Sequence, residues 1–202
     1  MKLFLTSYIA GTKSLLKDFL RKYDKKNILF IPTAGDVEEY TGYIDEGIEA
    51  IRKLGYTIDL LDIANKKRED IIPEIASCGC LCISGGNTFY LLQELKRKHL
   101  IEIITGKISQ GMLYIGESAG AIIASKNIEY NQIMDDKTVA RDLTDYSGMG
   151  IFDKFVLPHY GEFPFEETAE KTMRVYSSSL ELIPINNHQA IIVEDNQYTI
   201  IG

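Results

Sequence analysis

Cysteine, histidine and tryptophan are scarce in this sequence of 202 residues, which contains three cysteines, three histidines and no tryptophan. An odd number of cysteines, in a chain without a secretion signal, does not form a disulfide framework. The three are Cys78, Cys80 and Cys82, and their alternating spacing predicts that all lie on one face of a strand, packing as small apolar side chains. No further cysteine or histidine pair supplies the usual zinc spacing, so we expect no metal site.

Basic residues are also fewer than acidic ones: the chain has 22 lysines and arginines and 29 aspartates and glutamates, which gives a formal net charge of -7. Without a basic run to neutralise phosphates, the sequence indicates no nucleic-acid partner. No apolar run approaches the ~20 residues needed to span a bilayer, and the apolar stretch at 2–7 is too short for a signal peptide. We therefore expect a cytoplasmic protein without a membrane partner, present as a monomer or small homo-oligomer.

Short apolar runs alternate with amphipathic stretches along most of the chain, and the length suits one domain over 1–202. Strands are predicted at 2–7, 27–32, 56–61, 80–84 and 113–117, and helices at 13–23, 37–54, 68–77, 88–98 and 100–109. Polar loops follow around 131–144, then a strand at 153–157, a helix at 162–178, and late edge or antiparallel strands at 190–194 and 198–201. The pattern predicts an α/β fold with a mostly parallel sheet and helices on both faces.

Gly116-Glu117-Ser118-Ala119-Gly120 follows an apolar strand and leads into an apolar, alanine-rich segment. A Gly-x-Ser-x-Gly turn between a strand and a helix is typical of a nucleophile elbow, which exposes the serine hydroxyl for attack on a carbonyl. The alternative is a tight structural turn with an inert serine.

A nucleophilic serine needs a base, and the chain offers His99, His159 and His188. His99 ends an amphipathic helix after three basic residues, which favours a surface position. His159 directly follows an apolar strand, so it is expected at the same end of the sheet as Ser118. His188 is the second candidate.

Ser84-Gly85-Gly86-Asn87-Thr88 follows another strand and precedes a helix. Asn87 or Thr88 could simply cap that helix, and the phosphate-binding glycine motifs are missing. The functional hypothesis is an oxyanion hole formed by the N–H groups of Gly86 and Ala119.

Three segments, at 84–89, 114–121 and 157–160, together resemble the alpha-aspartyl dipeptidase (peptidase E) family of serine peptidases, to which cyanophycinase is related. The resemblance implies a three-layer sandwich similar to class I glutamine amidotransferases. It also implies Ser118 as nucleophile, His159 as base, and Gly86 and Ala119 as oxyanion donors, with no metal or cofactor. The implied substrates are short peptides, dipeptides with an N-terminal aspartate in particular.

The third member of the catalytic group departs from the family, which commonly has an acid just before the late strand. Asn187 takes that position here, and an asparagine can orient imidazole but cannot offset its charge. Asp135 or Asp136, after the elbow, is the alternative orienting residue. Arg174 and Lys171 are candidate partners for a substrate carboxylate, although a solvated helix face explains both.

Two other functions compete with a dipeptidase. One is a different acyl-transfer enzyme on the same site, such as an esterase or an isoaspartyl peptidase. The other is a binding or regulatory protein that keeps the fold but has lost activity through the weakened triad.

Overall fold

A seven-stranded sheet forms the centre of the protein, whose computed structural model describes residues 1–195 and 197–202. The strands of this sheet are β1 (Lys2–Thr6), β2 (Asn27–Ile31), β3 (Thr57–Leu60), β4 (Cys80–Ile83), β5 (Leu113–Glu117), β8 (Ala190–Glu194) and β9 (Gln197–Ile201). Their order in the sheet is β3-β2-β4-β5-β1-β8-β9, and the pairings are parallel from β3 to β1 and antiparallel from β1 to β9. The predicted mostly parallel sheet is confirmed, and so is the antiparallel pairing of the late strands.

Helices cover both faces of the sheet and bury two separate apolar clusters. They are α1 (Lys13–Leu20), α2 (Gly42–Lys53), α3 (Arg68–Ser77), α4 (Thr88–Arg97), α5 (Ile101–Ser109), α6 (Ala119–Ile122) and α7 (Glu166–Tyr176). In β1, Leu3 and Leu5 face the cluster that α3, α4 and α5 cover, whereas Phe4 faces the cluster covered by α1 and α2. This period of two, apolar on both faces, explains why the central strands appear in the sequence as unbroken apolar runs.

A second sheet of two parallel strands lies outside the central one, formed by β6 (Phe155–Leu157) and β7 (Leu182–Pro184). The sequence predicted β6 but not β7, which has only three residues and ends in proline. Its strand conformation depends on pairing with β6. Because β6 is distant in sequence, the residues around β7 carry no local pattern that predicts a strand.

Besides shifts of one to four residues at the ends of other elements, three details differ from the sequence predictions. Helix α2 begins at Gly42 instead of residue 37, because a 3₁₀ turn at Thr33–Gly35 and the loop after it precede the helix. Two more 3₁₀ turns occur where polar loops were predicted: Glu129–Ile133 overlaps the start of the segment 131–144, and Lys137–Val139 lies within it. Cys78 precedes β4 and packs on the opposite cluster from Cys80 and Cys82, so the prediction of one shared face was wrong for this residue.

Candidate active site

Ser118 occupies a sharp turn between the end of β5 and the start of α6. Its backbone has φ +46° and ψ −105°, a conformation that non-glycine residues rarely adopt. A Cβ on Gly116 would overlap the backbone of residue 120, and a Cβ on Gly120 would overlap the carbonyl of Ile83. The small flanking residues therefore let the strand and helix approach closely, as in a nucleophile elbow.

His159 lies beside Ser118, two residues after β6. Its Nε2 is 3.0 Å from Ser118 Oγ, and its Nδ1 is 2.8 Å from Asn187 Oδ1. Because the amide oxygen accepts, Nδ1 carries the proton and Nε2 is left to accept one from the serine. The structure thus brings together the serine, histidine and asparagine that the sequence singled out.

The backbone around His159 is also held in place. Its φ is +57°, its N–H donates to Ser7 Oγ at 3.0 Å, and the Ser7 hydroxyl donates to the carbonyl of Ile185 at 3.1 Å. The imidazole stacks on the ring of Phe165 with 4.6 Å between centroids. These contacts hold the imidazole in one orientation.

Burial lowers the pKa of His159 below its ordinary value of 6.5, because the protein interior disfavours the cation. The hydrogen bond to Asn187 and the charge of Glu162 act in the opposite direction and offset only part of this effect. At neutral pH the imidazole is therefore neutral and able to accept a proton.

The Gly85-Gly86 turn lies against Ser118 on the other side. A Cβ on Gly85 would be 3.3 Å from the Cβ of Ser118. Gly86 has φ +125°, and a Cβ on this residue would overlap the carbonyl oxygen of Ala34. Among the described residues, neither the N–H of Gly86 nor that of Ala119 donates a hydrogen bond to the protein. Neither N–H group is therefore used by the fold in the described part of the chain.

Asn87 caps α4, accepting from the N–H groups of Phe89 and Tyr90, so the capping alternative is confirmed for this residue. The same contact shows that capping and a neighbouring oxyanion hole are compatible, since they use different residues of the turn.

The other candidates lie elsewhere. Asp135 accepts from the N–H of Thr88 at 2.8 Å, and Asp136 accepts from the N–H of Thr138, so the contact with His159 Nδ1 belongs to Asn187. His99 and His188 are exposed. Arg174 is exposed and forms an ion pair with Glu170.

Two neighbours of the turn were not found from the sequence. Tyr43 of α2 packs its ring against Gly85, so closely that a Cβ added to this glycine would be 3.4 Å from the ring. The Tyr43 hydroxyl is buried and has no hydrogen-bond partner in the described part of the chain. Phe165 stacks on the histidine. Only the fold brings these aromatic residues to the site, so the sequence carries no signal for them.

Residues 1–195 and 197–202 offer neither a metal centre nor a membrane-spanning helix. No group of three or more His, Cys, Asp or Glu side chains is arranged to hold a metal ion there. In the same ranges, no helix combines the length and the apolar content that crossing a membrane requires.

Comparison with known proteins points in one direction. The sequence model of Peptidase family S51 matches residues 3–201. An uncharacterized peptidase of Pasteurella multocida is 43% identical over 201 residues, which cover 100% of this chain and 97% of that protein. Peptidase E of Haemophilus influenzae is 37% identical over 123 residues, which cover 61% of this chain and 55% of that enzyme.

Solved structures agree with this assignment. The crystal structure of a putative peptidase E protein from Listeria monocytogenes EGD-e superimposes with a TM-score of 0.93 at 39% identity, covering 99% of this chain and 97% of that one. The crystal structure of a peptidase from an acI-B1 actinobacterium superimposes with a TM-score of 0.72 at 22% identity. The match covers 100% of this chain and 87% of that one, which shows a shared fold. The chain therefore belongs to peptidase family S51 and is a serine peptidase.

Proposed function

We propose that the chain is a single catalytic domain, over 1–202, that hydrolyses short peptides through an acyl-enzyme on Ser118. The observation that carries the proposal is the continuous line of contacts from Ser118 Oγ to His159 Nε2 at 3.0 Å and from His159 Nδ1 to Asn187 Oδ1 at 2.8 Å. Nucleophile and base within hydrogen-bond reach, with the base oriented by a third group, is the arrangement that activates a serine.

In the proposed reaction the Ser118 oxygen attacks the peptide carbonyl carbon while His159 Nε2 takes the hydroxyl proton. The N–H groups of Gly86 and Ala119 donate to the oxygen that becomes negative. The imidazolium then gives its proton to the leaving amine, and the carbon–nitrogen bond breaks. Water attacks the acyl group, His159 takes its proton, and the product acid leaves as Ser118 regains its hydrogen.

Dipeptides with an N-terminal aspartate are the substrates that we propose first. Their support is the resemblance to peptidase E and the name of the Haemophilus influenzae relative. Arg174 and Lys171 give this preference no geometric support, because both side chains are exposed and Arg174 pairs with Glu170 on the same helix.

A pair of substitutions with matched controls tests the mechanism. Ser118→Ala and His159→Ala should each lose turnover by about 10³-fold or more, because nucleophile and base act as one unit. The controls are Ser109→Ala and His188→Ala, which alter an exposed serine and an exposed histidine and should retain wild-type rates. Near wild-type activity in either of the first two variants would refute the proposal.

Substrate preference is tested with Asp-Leu, Ala-Leu and N-acetyl-Asp-Leu. We expect the highest kcat/KM on Asp-Leu and the lowest on the blocked peptide. Equal rates on all three would remove the dipeptidase assignment and favour a general hydrolase.

A second function, that of a binding or regulatory protein with weak catalysis, is favoured by one observation. The group behind His159 is an uncharged amide, while burial lowers the pKa of the imidazole, so the cation formed during attack is poorly stabilised. A fluorophosphonate separates the two functions, because it labels an activated Ser118. Failure to label the folded protein, with no peptide turnover, would favour the binding protein.

A further inference from the structure

Glu117 is a buried carboxylate that the proposed reaction does not use, although it adjoins Ser118 in the chain. It ends β5 and is only 1% exposed. Its Oε1 accepts from the N–H of Ile9 at 2.7 Å, and its Oε2 accepts from the N–H of Gly85 at 3.4 Å. One side chain therefore connects the end of the nucleophile strand to two other segments.

Both segments support the reacting groups. Gly85 immediately precedes Gly86, whose N–H is the proposed oxyanion donor. Ile9 lies in the turn after β1, and Ser7 in that turn accepts from the N–H of His159. Glu117 thus contacts the turn that carries the oxyanion donor and the turn that holds the base.

We infer that Glu117 is a positioning residue, whose ionised carboxylate holds the Gly85-Gly86 turn and the turn after β1 in place around Ser118. This inference rests on the proposed function, because it assigns the carboxylate a role in the reaction of that site. The ionised form fits the geometry, since each oxygen accepts from an N–H donor, and protonation would turn one of them into a hydroxyl oxygen, which is a weaker acceptor.

Two buried N–H groups explain why a carboxylate is present here. An apolar side chain would avoid the cost of burying a charge but would leave both N–H groups without an acceptor. Glutamine would offer one amide oxygen and an NH₂ group in place of the second oxygen, so only the carboxylate presents a separate acceptor oxygen to each segment.

Four titratable side chains of neighbouring elements interact with Glu117. They are Tyr43 and Glu46 of α2, Tyr8 after β1 and Cys82 of β4. Burial raises the pKa of the Tyr8, Tyr43 and Cys82 side chains, so all three are neutral near pH 7. Burial, with a smaller contribution from Glu46, raises the pKa of Glu117 to about 7, against a partial opposing effect of its two N–H partners.

Protonation of Glu117 should therefore weaken its hydrogen bonds as the pH falls through about 7. The bond to Gly85 is the longer of the two and should be the more affected. The pKa of His159 lies below 6.5, so the activity of the wild-type protein should already decline at a pH where the base is still neutral.

The first test measures kcat/KM between pH 5 and 9 for the wild type, Glu117→Gln and Glu94→Gln. Glu94 is the matched control because it is also a buried glutamate, 3% exposed, but lies in the second half of α4 and pairs with Arg97. Glu117→Gln keeps one acceptor oxygen and replaces the other with an amide NH₂ group. We expect it to lower the plateau about tenfold and to remove the decline near pH 7, leaving only the decline due to His159, whereas Glu94→Gln keeps the wild-type profile.

The second test needs no turnover. The amide ¹H and ¹⁵N shifts of Gly85 and Ile9 should titrate near pH 7 in the wild type and should not do so in Glu117→Gln. Titration of both amides without any peptide hydrolysis would support the contacts of Glu117 and refute the proposed function. Unchanged kcat/KM with a wild-type decline near pH 7 in folded Glu117→Gln, or no titration of either amide in the wild type, would overturn the inference.

Discussion

Replacement of Asn187 by Asp would place a negative charge where the amide oxygen now lies, 2.8 Å from Nδ1 of His159. The amide already holds the correct imidazole tautomer, so the substitution adds only charge. Loss of the acid from a Ser-His-Asp triad costs about 10⁴-fold partly through the wrong tautomer, and the gain expected here is smaller than that.

The structure sets the magnitude. Two unit charges about 4 Å apart attract by roughly 4 kcal/mol at an effective dielectric constant of about 20. Two effects reduce this figure: the new carboxylate must be desolvated, and Glu162, whose Oε1 is 3.3 Å from the backbone nitrogen of Asn187, would repel it. We expect the pKa of His159 to rise by about one to two units, which corresponds to a rate increase of about 10- to 100-fold.

The assay is the pH dependence of kcat/KM on a dipeptide for the wild type, Asn187→Asp and Asn186→Asp. Asn186 is the matched control because its side chain accepts from the N–H of His188 and the substitution adds the same charge without contacting the base. The acid limb should move to higher pH and the plateau should rise in Asn187→Asp, with a much smaller change in the control. An unchanged limb and plateau in folded Asn187→Asp would refute the reasoning, and equal shifts in both variants would assign the effect to long-range charge.

Three other predictions concern stability and environment. Gly86→Ala should lower the free energy of unfolding by about 1–3 kcal/mol in urea titrations, because its φ is +125° and a Cβ would overlap a backbone carbonyl, whereas Gly106→Ala, with no atom within 4 Å, should not destabilise. Asp135→Asn should lower the free energy of unfolding by about 1 kcal/mol, since the carboxylate accepts from the first N–H of α4. It should leave the kinetic pKa of His159 unchanged. A large loss of turnover would instead assign the orienting role to Asp135. Phe165→Ala should expose His159 to water and raise its kinetic pKa towards 6.5, and a further decrease would contradict the burial argument.

The elements of the central sheet were predictable because their signals are local. Buried parallel strands are continuous apolar runs, and the amphipathic helices between them repeat at 3.6 residues. The turn at Ser118 was predictable for the same reason, since the glycines two residues before and two residues after the serine permit the close packing of β5 against the following helix. By contrast, β7 depends on a partner at the other end of a helix, and the sequence around it is not distinctive.

The neighbours of the candidate site were less accessible. Asn187 could be placed only through the resemblance to the family, which commonly has an acid just before the late strand, while Tyr43 and Phe165 had no pattern that linked them to Ser118. Their positions depend on which helix covers which face of the sheet, and that choice is made by the packing of the whole core.

The sequence by itself determined the chemistry available to this protein, namely a serine in a strained turn, a histidine after a buried strand and a turn of paired glycines. Only the tertiary structure decided that they meet. Ser118 and His159 are 41 residues apart and His159 and Asn187 are 28 apart, and the sheet order brings them within 3.0 Å. Burial, which lowers the pKa of His159 and raises that of Glu117, is likewise a property of the assembled core, because no short segment excludes water from its own side chains.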